Sequence, residues 1–254
     1  MEEKLPQSEG AGDSARGRGG YFSTTHWSVV LEAGREDSPK ATAALERLCQ
    51  SYWYPLYVFV RQKGHTPPDA QDLTQEFFAR FLERKYISLA DQSRGKFRTF
   101  LLRSLEHFLI NDWTRGRAAK RGGLQQLISW DGEEVENRYL TERAEGMAPD
   151  KIFEKRWAMT LLEQVLGRLR EEFSEGGKRE LFEALKVCVW GGQTEASYRE
   201  IGAQLGMAEG AVKVAAHRMR ERYRELLRTE VGHTVATSAE VDEELRYLAA
   251  VLRS

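Results

Sequence analysis

The chain has 254 residues, of which 41% are hydrophobic and 30% are charged, and its formal net charge is −1. The length is compatible with one large or two small domains, and the composition is ordinary for a globular protein. No apolar run approaches the roughly 20 residues that a membrane helix needs, and the polar start MEEKLPQSEGAGDSARGRGG has no hydrophobic signal-peptide core. We therefore expect a cytoplasmic protein with no membrane segment.

The two cysteines do not point to a disulfide or a metal site. Cys49 and Cys188 lie far apart in the sequence, and neither belongs to a CxxC pair. This spacing supports neither a disulfide framework nor a cysteine zinc site. We expect both side chains to be small buried hydrophobes.

The small net charge hides a segregation of charge along the chain. Residues 94–123 include eight basic and two acidic residues, residues 131–154 eight acidic and three basic, and residues 209–228 six basic and three acidic. Two basic blocks separated by an acidic connector indicate two surfaces that could each contact phosphate. The alternative is that both blocks are ordinary solvated helix faces.

The first third of the chain reads as a tail followed by helices. Residues 1–24 lack periodicity and are expected to be disordered. Residues 41–63 have apolar residues at helical spacing, and we expect this helix to be kinked or locally broken at Pro55. Thr66, followed by two prolines and Asp69, is a start signal for the next helix.

That next helix, DAQDLTQEFFARFL (69–82), has two distinct stripes. Its apolar face is formed by Leu73, Phe77, Phe78, Phe81 and Leu82. A second stripe, here called the polar stripe, contains Asp72, Gln75, Glu76 and Ala79 at spacings of three and four. The core does not need this second stripe, so its role must lie elsewhere.

The middle of the chain predicts a long basic helix and then a linker. Residues 88–95 form a polar loop, and residues 97–115 form a helix whose apolar face includes Phe97, Leu101, Leu105, Phe108 and Leu109. Residues 124–149 are acidic with little periodic structure, which is typical of an inter-domain linker. Helices resume near 152–172 and 178–190, and an amphipathic segment covers 239–252. The expected fold is all-α, with two small helical domains joined by an acidic linker.

The segment 197–227 has the pattern of a helix-turn-helix. Ser197 and Glu200 predict a capping box, and Gly206 permits the left-handed backbone of a tight turn. Val212, Ala216 and Met219 would point inward on the second helix, which Glu209 begins. The outward positions are Lys213, Val214, His217 and Arg218, followed by Arg220, Arg222 and Arg224 for phosphates. The alternative is an ordinary αα-hairpin with a solvated basic face.

Three motifs together resemble a known family. DAQDLTQEFFARFL (69–82), RGKFRTFLLRSLEHFLINDW (94–113) and SYREIGAQLGMAEGAVKVAAHRMRERYREL (197–226) occur in the order and at the separations found in RNA polymerase sigma factors of the extracytoplasmic-function type. These belong to the sigma-70 superfamily, and the TTHWSVVL start resembles a planctomycete-like subgroup. The similarity covers about residues 25–232.

The resemblance implies roles for the first domain. Residues 25–123 correspond to the second sigma domain, which docks on core RNA polymerase and opens the −10 element. Polymerase binding would fall to Asp72, Gln75, Glu76 and Arg80. Residues 90–96 would form the loop that captures a flipped base. The residues that would bind −10 DNA are Arg94, Lys96, Arg98, Arg103, His107, Asn111, Arg115, Arg117, Lys120 and Arg121. Phe97 and Phe100 lie on the same helix and could instead be core residues.

The resemblance also implies roles for the second domain. Residues 124–149 would be the linker, 150–232 the fourth sigma domain and 233–254 a C-terminal extension helix. The −35 element would be read by Ser197, Glu209, Lys213, Val214, His217, Arg218 and Arg220. Many relatives have Ser or Thr where this chain has Ala208, Ala211 and Val214, so thymine methyls and DNA shape would carry more of the readout. His107 stands where Asn is common.

The expected function is therefore that of a sigma factor, which binds core RNA polymerase and directs promoter recognition and melting. It would need no cofactor and no catalytic residue. The alternative is a conventional helix-turn-helix regulator that binds DNA without polymerase. An enzyme is disfavoured because the five histidines are scattered and there is neither a P-loop nor a GxSxG motif. An anti-sigma factor or a kinase is a regulator that the resemblance allows, and the C-terminal extension would either bind such a regulator or cover apolar surface.

Overall fold

The computed structural model describes residues 39–82, 96–115, 132–142, 146–189, 195–235 and 237–253. Within these ranges the regular structure is entirely helical, which confirms the all-α expectation for this part of the chain. The helices are α1 (Pro39–Gln62), α2 (Pro67–Leu82), α3 (Phe97–Arg115), α4 (Gly132–Thr141), α5 (Pro149–Glu175), α6 (Arg179–Leu185), α7 (Glu195–Leu205), α8 (Glu209–Gly232) and α9 (Val241–Arg253). Short 3₁₀ turns occupy Lys186–Cys188 and Ser238–Glu240. The TTHWSVVL segment and the predicted N-terminal tail lie outside the described residues.

Helix α1 is the central helix of the fold. Residues 51–60 are all buried, so this stretch is covered on every side. Pro55 lies inside α1, and the helix continues through it, so the local break that we considered does not occur. Packing of the surrounding aromatic residues compensates for the loss of the backbone hydrogen bond that Pro55 cannot donate.

Helices α2 and α3 pack beside α1 through aromatic residues. Phe77, Phe78 and Phe81 are buried as expected, and the Phe97 ring lies 5.6 Å from the Tyr52 ring and 6.3 Å from the Phe81 ring. Phe97 is therefore a core residue. The start signal of α2 is also confirmed, because the Asp69 amide donates to Thr66 Oγ1 at 3.4 Å. Thus α2 and α3 are fixed on the core by their apolar sides.

Part of the segment expected to be a linker is a helix. The expectation of little periodic structure was wrong for Gly132–Thr141, where Val135 and Tyr139 are buried at a spacing of four. The apolar side of this helix was hard to recognise because acidic residues surround its two apolar positions. Acids in the first turn nevertheless favour the start of a helix. Arg61 on α1 donates to both carboxylate oxygens of Glu136, at 3.0 and 2.6 Å, and this anchors α4.

Helix α5 joins the two halves of the described chain. It packs along α1 and also contacts α6, α8 and α9. Polar contacts reinforce this packing, since Gln164 donates to Ser51 at 3.2 Å and Arg156 lies 2.6 Å from Glu142. The buried residues form one continuous cluster across these helices. The proposed division into domains is therefore not marked by a gap in the core, and it stays a prediction.

The C-terminal helix α9 packs on α5 and α8. Its buried face contains Val241, Glu244, Leu248 and Val251. It therefore covers apolar surface, which is one of the two roles that we considered for this extension. Cys49 and Cys188 are both buried, as expected. No helix among the described residues is long and apolar enough to cross a membrane.

Candidate nucleic-acid interface

Helices α7 and α8 are joined by a three-residue turn and pack against each other, as the predicted helix-turn-helix requires. Gly206 has a φ of 65°, which is the left-handed conformation that the sequence predicted for the turn. The predicted capping box was wrong, because α7 begins at Glu195 and Ser197 therefore lies in its first turn. Good helix formers at positions 195 and 196 extend the helix past the serine.

Gly202, which was not among the predicted functional residues, sets the distance between α7 and the turn. A Cβ at this position would lie 2.6 Å from the Met207 carbonyl oxygen and 3.5 Å from Val212 Cγ2. The Met207 amide also donates to the Gly202 carbonyl at 2.8 Å. The turn thus folds directly onto the glycine. A second glycine four residues before Gly206 was the available signal.

Helix α8 has a buried face and a basic exposed face. Val212, Ala216 and Met219 are buried, as predicted. On the other side, His217 and Arg218 are exposed, Lys213 is half-buried, and the Val214 side chain is 50% exposed. An exposed apolar side chain between cationic neighbours is the arrangement that suits a thymine methyl flanked by phosphates.

Charged side chains cluster at the start of α8. Glu209 Oε1 lies 2.9 Å from Lys213 Nζ, and Glu209 Oε2 lies 3.5 Å from Arg199 Nε. The hydrogen bond from Lys213, helped by the positive charges of Lys213 and Arg199, holds the pKa of Glu209 below its ordinary value. Glu209 therefore stays ionised and orients Lys213 at the exposed face.

Arg220 has a structural position rather than an exposed one. Its guanidinium donates to the Cys188 carbonyl at 2.8 Å and to the Tyr198 hydroxyl at 2.5 Å. It thereby joins α8 to α7 and to the turn after α6, although the resemblance had placed it at the −35 element. Arg222 is exposed and pairs with Glu172 at 2.8 Å.

Helix α3 presents a second exposed face. Arg103, His107 and Asn111 are exposed and follow one another at a spacing of four, so they share this face. Ile110 is 63% exposed beside them. The remaining candidates for −10 binding, Arg94, Arg117, Lys120, Arg121 and the Arg115 side chain, lie outside the described residues.

Lys96 and Arg98 are held by the C-terminal helix, which the sequence did not predict. Arg98 is 4% exposed, and its Nη1 lies 2.6 Å from Glu244 Oε1. Lys96 pairs with the same carboxylate. The Arg98 guanidinium also lies 4.3 Å from the centre of the Trp157 ring. A carboxylate placed among the apolar residues of α9 was the only sequence signal for this contact.

The polar stripe of α2 lies on the surface. Asp72 is exposed, while Gln75 and Glu76 are half-buried. Glu76 forms an ion pair with Arg80, whose guanidinium lies 5.0 Å from the centre of the Phe108 ring on α3. The stripe is therefore fixed at one end by packing and open to solvent at Asp72.

The described residues show no candidate metal site. Among them, no group of three or more His, Cys, Asp or Glu side chains could hold a metal ion. No protein-family model, no curated protein and no solved structure matches this chain. The exposed faces of α2, α3 and α8 are thus the basis for any assignment of function.

Proposed function

We propose that this protein is a sigma factor that binds core RNA polymerase and directs promoter recognition and melting. In this proposal residues 25–123 act as the second sigma domain and residues 150–232 as the fourth sigma domain. The protein contributes binding surfaces and no catalytic group. Its partners are core RNA polymerase and promoter DNA.

The observation that carries the proposal is the presence of two exposed surfaces of opposite charge on different helices. The acidic one lies on α2 around the exposed Asp72, with the half-buried Glu76 beside it. The basic one lies on α8 around the exposed Arg218, with the half-buried Lys213 beside it. A protein that only binds DNA needs the basic surface alone. An additional acidic surface suits a protein partner, because its charge would repel DNA.

The basic surface of α8 fits the major groove of duplex DNA. The first exposed positions of α8, Gly210, Ala211 and Val214, are small or apolar, so the backbone can approach the base edges closely. Lys213 and Arg218 flank them and can reach phosphates on both sides. This arrangement supports recognition of the −35 element through thymine methyls and DNA shape.

The exposed face of α3 fits a single strand. Arg103 supplies charge for the backbone, while His107 and Asn111 supply polar groups that can contact unpaired bases. Ile110 offers an apolar surface beside them. These features support a role in holding the melted −10 strand.

Docking is tested by size-exclusion chromatography with purified core RNA polymerase. Wild-type protein should co-elute with the polymerase, and Asp72→Arg combined with Glu76→Arg should not, because both charges of the polar stripe are reversed. A matched control is Glu171→Arg combined with Glu175→Arg, which reverses two exposed acids four residues apart on α5. The control should co-elute like the wild type, and all variants should keep their helix content by circular dichroism.

The same experiment separates the sigma factor from a conventional regulator. If the wild-type protein binds duplex DNA but never co-elutes with polymerase, the helix-turn-helix acts alone and the proposal is wrong. If the double change at positions 72 and 76 leaves co-elution intact, docking uses another surface.

A further inference from the structure

The C-terminal helix α9 closes over the start of α3 through one buried carboxylate. The Glu244 side chain is 1% exposed, and its Oε1 lies 2.6 Å from Arg98 Nη1. The same carboxylate forms an ion pair with Lys96, whose side chain is 39% exposed. One acidic group of the extension therefore neutralises two cations that the family resemblance assigns to −10 DNA.

Aromatic rings complete the surroundings of these two cations. The Arg98 guanidinium lies 4.3 Å from the Trp157 ring centre and 5.4 Å from the Tyr247 ring centre. Lys96 Nζ lies 4.6 Å from the Tyr247 ring centre. Two cations beside aromatic faces form the kind of site that binds the backbone and bases of single-stranded nucleic acid.

Apolar contacts also attach α9. Val241, Leu248 and Val251 already bury its apolar side against α5 and α8. A buried ion pair is seldom better than an apolar pair of the same size, because both charges lose their hydration. Its particular effect here is to occupy Lys96 and Arg98.

We propose that Lys96 and Arg98, with Trp157 and Tyr247, form an anion site for phosphates of single-stranded promoter DNA, and that Glu244 occupies this site in a closed form of the protein. The inference rests on the proposed function. In the closed form Arg103, His107 and Asn111 stay exposed, so a strand binds weakly. Release of α9 frees both cations and strengthens binding, so α9 competes with the promoter strand from within the same chain.

The test uses the full-length protein and fluorescein-labelled dT15, a single-stranded DNA probe, in fluorescence anisotropy. Glu244→Gln should bind dT15 about tenfold more tightly than the wild type, because two phosphate contacts are gained. The plot of log affinity against log salt concentration should become steeper by about 1.4, since each contact on a single strand adds about 0.7. The matched control is Glu243→Gln, which removes the same charge from an exposed position of α9 and should bind like the wild type. Adding Arg98→Ala to Glu244→Gln should abolish most of the gain.

A second measurement uses only the wild-type protein, so its result does not depend on whether Glu244→Gln folds. Saturating dT15 should accelerate amide hydrogen exchange in residues 241–253 and leave residues 212–226 unchanged, because the strand displaces α9. Any of three results would overturn the inference. Folded Glu244→Gln and the wild type bind dT15 with equal affinity, neither protein binds dT15, or amide exchange in α9 does not change. Co-elution with core polymerase is measured separately on both proteins. If neither the wild type nor Glu244→Gln co-elutes with polymerase, the proposed function is wrong. If both co-elute but bind dT15 with equal affinity, only the competition by α9 is contradicted.

Discussion

Replacing Gly202 by alanine tests the geometry of the helix-turn-helix. The new Cβ would lie 2.6 Å from the Met207 carbonyl oxygen and 3.7 Å from the Glu209 amide nitrogen. The first of these distances is far shorter than an ordinary carbon–oxygen contact, and the atom that blocks the space belongs to the backbone. The turn must therefore move away from α7, which also changes the angle at which α8 is presented.

The expected magnitude follows from two opposing effects. Forcing an extra carbon into a packed site costs about 1–3 kcal/mol, while alanine is better than glycine inside a helix by about 1 kcal/mol. Gly167 provides the matched control, because it lies inside α5 and a Cβ there would meet nothing within 4 Å. Gly167→Ala should stabilise the protein by about 1 kcal/mol, so the difference between the two variants isolates the steric cost of about 1–3 kcal/mol.

Urea unfolding of both variants, followed by circular dichroism at pH 7, gives the two free energies of unfolding. Gly202→Ala should also weaken binding to duplex DNA, and Gly167→Ala should leave that binding unchanged. Equal stability of the two variants would refute the inferred close approach of Met207 to Gly202, and so would wild-type duplex binding by Gly202→Ala.

The remaining predictions concern DNA contacts and acid sensitivity. Lys213→Ala combined with Arg218→Ala should weaken duplex binding and lower the slope of log affinity against log salt concentration by about 2. The control, Lys178→Ala combined with Arg179→Ala, removes two exposed cations at the start of α6 and should leave duplex binding unchanged. If the variant at positions 213 and 218 also lost polymerase binding, it would be misfolded. For Glu136, burial acts to raise the pKa, but hydrogen bonds from Arg61 and Tyr57 and the charge of Arg61 outweigh it and hold the pKa below its ordinary value. Its contribution to stability is therefore complete above the unfolded pKa of about 4.3 and is lost as the pH falls through the lower folded pKa. Urea midpoints at pH 6 and pH 3 should show a smaller acid-induced loss for Glu136→Gln than for the wild type or for the exposed control Glu171→Gln, and equal losses would contradict this linkage.

The elements that could be predicted from the sequence are those with local signals. The phenylalanines of α2 follow helical spacing, and Gly206 marks the turn that needs a positive φ. Val212, Ala216 and Met219 likewise point inward on α8 because periodicity alone fixes their side. The exposure of Asp72, His217 and Arg218 follows from the same rule, since the positions left over by the core face solvent.

The features that could not be predicted depend on contacts between distant residues. Lys96 and Glu244 are 148 residues apart, and no local pattern connects them. The sequence indicated that Arg98 and Arg220 are surface cations. Both instead contact groups of the same chain, Arg98 the Glu244 carboxylate and Arg220 the Cys188 carbonyl. The short helix α4 was missed because two apolar residues among many acids give a weak periodic signal.

Transcription by core RNA polymerase is the most direct measurement of the central claim. Genomic DNA fragments are transcribed by core polymerase with and without the purified protein, and the 5′ ends of the transcripts are sequenced. The proposed function predicts new transcripts that begin at defined positions downstream of a shared pair of promoter elements and that disappear with Asp72→Arg combined with Glu76→Arg. Transcripts with the same 5′ ends in the presence and absence of the protein would contradict it.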